Sequence, residues 1–326
     1  MAGHVAIIGG GVIGGGWAAR FALMGWEVRV FDPAPEAARR VQEVVAGARE
    51  ALPRVLDAPL PPEGEVVFTT TMSEAVTGAR WIQESVPERL ELKQTIYQTL
   101  QSHVDPAAVI ASSTSGFKPS DLQAMSRRPE QIIVAHPFVP VYLLPAVEIA
   151  GSDITPPEVL DTAEDFLTGI GMYPLRLAQE IDAHIADRLL EAVWREALWL
   201  VKDGIATTEQ VDDAIRMGFG LRWAQMGLFE TYRLGGGEGG MRQFLHQFGP
   251  ALQWPWTKLT DVPEMDDELV ETIATQSDAQ SGAYEIPELE KIRDGNLVAL
   301  LNALKQQDWG AGAVLKGVEA RLKSGG

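Results

Sequence analysis

Three glycines within the run Gly9-Gly10-Gly11-Val12-Ile13-Gly14 constrain this chain more than any other feature. They follow an apolar stretch, Val5 to Ile8, and open a helix-forming one, Trp17 to Met24. Asp32 comes eighteen residues after Gly14, at the end of Val28 to Phe31. Strand, glycine turn, helix, strand and acid in that order form the signature of a dinucleotide site. Gly9 permits the tight turn, Gly11 lets the backbone approach a pyrophosphate, and Gly14 lets the helix lie close to the strand. Val12 and Ile13 begin the helix whose amides and positive dipole end face the phosphates. An acid at Asp32 accepts from ribose hydroxyls and repels a 2′-phosphate, which predicts NAD rather than NADP.

Composition narrows the remaining possibilities. With 326 residues the chain has room for two domains. A net charge of -18, with no offsetting basic cluster, argues against nucleic acid and anionic membrane surfaces as partners. The absence of cysteine removes thiol nucleophiles, disulfides and thiolate metal sites. The five histidines are scattered without a two-histidine metal motif, so no metal is expected. No run of about eighteen apolar residues is present. Residues 1 to 8 do not read as a signal peptide, and a cytoplasmic location is the expectation.

Up to about residue 180, short β-branched runs alternate with helical patterns, as in a parallel sheet with crossover helices. The predicted strands are Val5 to Ile8, Val28 to Phe31, Val66 to Thr69, Trp81 to Glu84, Val109 to Ser112, Ile132 to Ala135, Val147 to Ile149 and Tyr173 to Leu177. From Ile181 onward the β-rich runs stop. Ile185 to Val201, Thr208 to Met217 and Leu297 to Leu304 read as helices, the first with so much apolar surface that burial is expected. Gly235-Gly236-Gly237 reads as a loop or hinge. The fold class is therefore α/β, a Rossmann-type doubly wound sheet over residues 1–180 followed by an all-helical domain over residues 181–326.

An enzyme that oxidises an alcohol with a nicotinamide cofactor needs a base near the hydroxyl and a group that orients the base. His136 follows the strand Ile132 to Ala135 at its carboxyl end, where ligands bind in doubly wound sheets. Glu148 lies in the next predicted strand, and pairing of the two strands would bring them together. A histidine before a proline can equally be structural, and Ser115 in Ser112-Ser113-Thr114-Ser115-Gly116 can equally be a turn or cap. Spacing alone leaves these readings open.

The glycine turn with Asp32, the pair Glu88 and Lys93 in Val86-Pro87-Glu88-Arg89-Leu90-Glu91-Leu92-Lys93, Ser113-Thr114-Ser115, and His136-Pro137-Phe138 through Glu148 together resemble the 3-hydroxyacyl-CoA dehydrogenase superfamily. The resemblance runs over nearly the whole chain. It implies that His136 is the base, Glu148 its orienting carboxylate and Ser115 a partner of the reacting oxygen. Glu88 and Lys93 would lie near the nicotinamide ribose and ring, whereas a surface ion pair is the plain alternative. His136 through Pro145, Ala186-Asp187-Arg188-Leu189-Leu190-Glu191-Ala192 and Phe248-Gly249-Pro250-Ala251-Leu252 resemble the carnitine-oxidising branch of that family. A crystallin branch that oxidises L-gulonate is more distant. Two departures stand out: Val139 where the family has asparagine, and Asp182-Ala183-His184 where it has Pro-Gly-Phe. Asp187 replaces the asparagine of the acyl-CoA enzymes.

What the resemblance implies about substrate is a carnitine-like small molecule oxidised at its 3-hydroxyl. A trimethylammonium group has no N–H and is held by aromatic faces, each contributing roughly 0.5–2 kcal/mol. Phe138, Tyr142, Trp194, Trp223, Phe229 and Tyr232 are candidates, with Glu191 or Glu230 adding charge and Arg188 or Arg222 facing the carboxylate. Each aromatic can instead be core packing. The alternatives are oxidation of a 3-hydroxyacyl-CoA or of L-gulonate, or a non-catalytic, crystallin-like NAD-binding protein. The apolar helical half predicts a homodimer.

Overall fold

A computed structural model describes residues 3–224, 227–236, 238, 240–248, 256–258, 266–269, 271–272, 275, 283 and 286–324. All eight predicted strands form, as β1 (His4–Ile8), β2 (Val28–Phe31), β3 (Val66–Phe68), β4 (Ala79–Glu84), β5 (Val109–Ser112), β6 (Ile132–Pro137), β7 (Ala146–Ala150) and β8 (Tyr173–Arg176). They make one sheet in the order β3-β2-β1-β4-β5-β6-β7-β8. The order reverses between β1 and β4, which opens a crevice at the carboxyl ends of those strands. Helices α1 (Val12–Leu23), α2 (Ala37–Ala51), α3 (Met72–Val76), α4 (Leu90–Leu100), α5 (Pro119–Gln123) and α6 (Pro157–Gly169) connect them.

The sheet is not wholly parallel, which corrects the sequence expectation. β7 runs antiparallel to β6, and β8 is parallel to β7. Only eight residues lie between Pro137 and Ala146, too few for the crossover of a dozen or more residues that a parallel return needs. Strand residues alternate between the two faces: Val5 and Ile7 join one apolar cluster, Ala6 and Ile8 the other. On the first face four rings interlock, with Phe166 stacked on Trp81 at 4.8 Å and tilted against Trp26 and Phe21.

The chain divides into two compact units, Met1–Asp187 with Lys291–Gly326, and Arg188–Glu290. The C-terminal helices thus return to the first unit, although residues 181–326 read from sequence as one helical domain. The reason is local chemistry. Val298, Leu301, Leu315 and Val318 enter the same apolar cluster as β1 and α1. The buried Lys305 ammonium donates to the Val55 carbonyl at 2.9 Å and to Glu319 at 2.8 Å, and Glu319 also accepts from the Asp57 amide.

The second unit is helical over its described residues. A capping box of Thr207 and Gln210 starts the helix Thr208–Ala214, which passes into a π-helical turn, Ile215–Phe219, so the predicted Thr208 to Met217 helix changes winding before its end. Gly235 ends the helix Leu228–Gly235, and Gly237 lies outside the described residues. Of the motif Phe248 to Leu252 only Phe248 is described. The burial expected of α7 (Ala186–Lys202) does not hold. Leu198 and Val201 are buried, whereas Leu189, Leu190 and Trp194 are exposed. Arg188, Glu191, Arg195 and Glu196 interrupt its apolar surface, so only one stripe is available for packing within the chain. No helix among the described residues is long and apolar enough to cross a membrane.

Candidate active site

The glycine turn between β1 and α1 is built as a cradle. Gly9 has φ +102°, and a Cβ there would meet the Ser85 carbonyl oxygen at 2.6 Å. A Cβ on Gly14 would collide with the Gly9 carbonyl, whereas one on Gly11 would point into open space. The α1 N-terminus has no side-chain cap and no acid in its first turn, so its amides face outward unneutralised. Val12 is exposed at this end and Ile13 packs against the core. Asp32 accepts from the amides of Gly10 and Ala34, each at 2.7 Å, which fixes the acid beside the turn. Open space at Gly11, bare amides and a held carboxylate fit the pyrophosphate and ribose of a dinucleotide.

Across the crevice, the ends of β4 and β5 carry a buried charge cluster that sequence reading identified only in part. Glu84 is fully enclosed. Its carboxylate accepts from Lys93 Nζ at 2.8 Å, Tyr97 Oη at 2.5 Å, Ser112 Oγ at 2.6 Å and the Val86 amide at 2.7 Å. Burial, followed by the Glu84 charge, pushes the Tyr97 phenol well above its ordinary value. Lys93 is 1% exposed, so the surface-pair reading of Glu88 and Lys93 fails for the lysine. Its Nζ also lies 3.2 Å from Glu88, which remains half-exposed. Glu88 accepts from Thr114 Oγ1 and from the amides of Ser115 and Gly116. Ser115, Glu88 and Lys93 therefore share one corner of the crevice. Ser113 faces inward, receiving Trp17 Nε1 at 3.2 Å and Gln83 Nε2 at 2.8 Å.

The third group lies where β6 and β7 pair. Antiparallel register sets His136 directly opposite Glu148, and His136 Nδ1 is 3.0 Å from Glu148 Oε2. The other carboxylate oxygen accepts from the amides of Ile185 and Ala186, at 2.9 and 3.0 Å, so the start of α7 holds Glu148 in place. Burial raises the Glu148 pKa, but the hydrogen bond from His136 and the two amides outweigh it and leave the group below its usual value. With a carboxylate as acceptor, Nδ1 carries the proton and Nε2 is the bare nitrogen. Asp187 Oδ2 lies 3.9 Å from that Nε2, and the Phe138 ring centroid is 5.4 Å from the imidazole.

His184, noted from sequence only as a departure from the family pattern, is fully buried with its ring 5.5 Å from that of His136. Its Nε2 is 3.3 Å from the Thr114 carbonyl, while Nδ1 has no hydrogen-bond partner. Burial and the nearby His136 hold its pKa below the ordinary 6.5. Ala183 and His184 both have left-handed backbone, φ 58° and 51°, a conformation that persists only where surrounding contacts impose it. That turn aims the Ile185 and Ala186 amides at Glu148.

The remaining predicted residues separate. Tyr142 is enclosed in the first unit and its hydroxyl donates to Asp294 at 2.6 Å, so it packs the interior. Val139 is exposed. In the second unit, Arg188 and Glu191 are exposed, Glu191 lies 3.6 Å from Arg195, and Trp223 packs against Phe219 at 4.6 Å. Among the described residues no cluster of three or more His, Asp or Glu fits a metal ion. Sequence reading missed Glu84 and Tyr97; the signal present was an acid closing a strand beside a second polar residue, Gln83.

Comparison with known proteins shows the family. The NAD binding domain of 3-hydroxyacyl-CoA dehydrogenase matches residues 4–181, and the C-terminal domain of 3-hydroxyacyl-CoA dehydrogenase matches residues 184–285. A protein of Ruegeria pomeroyi named L-carnitine dehydrogenase/betainyl-CoA thioesterase is 65% identical over 98% of this chain, which spans 65% of that relative's length. A protein of Mesorhizobium japonicum named L-carnitine dehydrogenase is 56% identical, with 97% of this chain and 88% of that one covered. A solved NAD+-dependent 5-dehydrogenase of a methylpyridine carboxylic acid superposes with a TM-score of 0.78 at 29% identity, covering 94% of this chain and 99% of that one. With an NAD-binding domain and the family's C-terminal domain following one another along its length, the chain belongs to the 3-hydroxyacyl-CoA dehydrogenase family.

Proposed function

We propose that this chain oxidises the 3-hydroxyl of L-carnitine to 3-dehydrocarnitine with NAD, and that His136 is the general base. The observation carrying this reading is the His136–Glu148 pair at the carboxyl edge of the sheet, in a chain whose relatives are named L-carnitine dehydrogenase. Bound NAD supplies the hydride acceptor. His136 takes the hydroxyl proton on Nε2, and Glu148, ionised and held by two amides, stabilises the imidazolium that results. Ser115, on the turn after β5, donates to the reacting oxygen. Gly9, Gly11, Val12, Ile13 and Gly14 hold the pyrophosphate, Asp32 the adenosine ribose, and Glu88 with Lys93 border the nicotinamide ribose.

Phe138 offers an aromatic face beside the imidazole. In this reading the chain works as a cytoplasmic homodimer. Incubation with NAD and, separately, L-carnitine, L-gulonate and 3-hydroxybutyryl-CoA tests the reading through NADH absorbance. NADH is expected from L-carnitine at a rate at least about a hundredfold above the other two, a difference of ~2.8 kcal/mol in transition-state binding. A faster reaction with either of the others, or none with carnitine, overturns it.

A further inference from the structure

One short turn reaches both halves of the proposed machinery. Residues 183–186 supply four hydrogen-bond donors in succession. The Ala183 amide donates to the Gly116 carbonyl at 3.0 Å, and His184 Nε2 lies 3.3 Å from the Thr114 carbonyl. The Ile185 and Ala186 amides then go to Glu148. A carbonyl can only accept, so the His184 proton sits on Nε2. The peptide joining Thr114 to Ser115 is therefore held on both edges, its carbonyl by His184 and its N–H by Glu88 at 3.2 Å. His184 fills this place at a cost to the fold. Its ring is fully enclosed, its Nδ1 has no partner, and its backbone is left-handed at φ 51°, after Ala183 at φ 58°. A phenyl ring of similar size would avoid the unpaired nitrogen, but it could not donate to Thr114.

The geometry points to His184 as a positioning residue: by holding the Thr114 carbonyl from the same turn that holds Glu148, it keeps the Ser115 hydroxyl in register with His136. This rests on the proposed roles of Ser115 and His136 and adds what sets one against the other. Ser115 follows β5 and His136 belongs to β6, yet both must meet the same carbinol oxygen. A misplacement of about 1 Å between such groups can lower a rate about a hundredfold. The segment that ties the two strands' ends together therefore acts on turnover without touching substrate.

The test uses the full chain. His184→Phe keeps the ring and removes the donor, whereas His184→Gln brings an N–H to the neighbourhood of Nε2. With NAD and L-carnitine, the phenylalanine variant is expected to lose about tenfold in kcat while NADH affinity stays within about twofold, and the glutamine variant to regain most of the loss. Full activity in the phenylalanine variant, or equal losses in both, overturns the inference. In a Ser115→Ala background, His184→Phe is expected to lower kcat by less than about twofold, because its effect passes through Ser115. A second tenfold loss there, the additive result of a general structural role, overturns it. Long-range proton–nitrogen NMR of the wild-type chain at neutral pH should find His184 protonated on Nε2 and bare on Nδ1. The opposite tautomer overturns the inference even if both variants fail to fold. Absence of carnitine turnover by the wild type sinks the proposed reaction, whereas the NMR result still decides what His184 holds.

Discussion

Two buried carboxylates belong to the same sheet, Glu84 closing β4 and Glu148 midway along β7, and they are used differently. Glu84 has an ammonium, two hydroxyls and an amide on its oxygens. Glu148 has two amides on one oxygen and an imidazole on the other. Every donor on Glu84 is fixed in the interior, so its charge is locked into the fold. The imidazole on Glu148 keeps a second nitrogen unoccupied by it, so that charge can be felt by whatever reaches Nε2. A buried acid in the sheet is thus no sign of chemistry by itself; the partner's spare valence is.

The contrast can be broken at either site. Glu84→Gln leaves Lys93 buried with only the half-exposed Glu88 as counter-charge, and urea unfolding should show a loss of about 3–5 kcal/mol. If stability holds and turnover collapses instead, Glu84 belongs with the chemistry. His136→Ala should lower kcat by about 10²–10⁴-fold, the span of general-base contributions, while NADH affinity by fluorescence stays within about twofold. Retained turnover removes His136 as base.

Smaller effects sharpen the comparison. Glu148→Gln keeps the shape but not the charge, and kcat should fall about a hundredfold with little change in NADH affinity. Because the Glu148 pKa is depressed on folding, its contribution to stability is present above the ordinary value of 4.5 and is lost as pH falls through the lower folded value. Acid unfolding of the glutamine variant should lack that component. His184 acts in the same direction for a different reason: the unfolded chain takes up a proton near pH 6.5 that the buried ring refuses, so stability declines as pH falls from 6.5 toward the folded pKa. His184→Phe should flatten the dependence of Tm on pH in that window, and an unchanged slope would show the ring to be electrostatically idle.

Sequence reading recovered what local chemistry encodes. Val109 to Ser112 announced itself as an apolar run because both faces of the sheet are covered there, and Val28 to Phe31 by its alternating buried valines. The glycine turn and Asp32 were equally legible, since each glycine answers a short-range demand. The His136–Glu148 partnership followed from strand adjacency, but not the reversal of β7, which depends on the length of the connection. Glu84 stayed hidden because its partners lie 9, 13 and 28 residues away on two other elements. The same holds for His184, whose neighbour His136 is brought close only by the strained turn at Ala183. Long-range placement of polar groups leaves no periodic trace.

The return of the C-terminal helices to the first unit has a consequence for the order in which a nascent chain can finish. Leu301, Leu315 and Val318 complete a cluster begun by Val5 and Trp17, so residues of the first strand and helix wait for partners that are synthesised much later. Until then, the sheet's outer layer stays open around Val55 and Leu52, and a translation pause after residue 290 would hold the protein in its most aggregation-prone form.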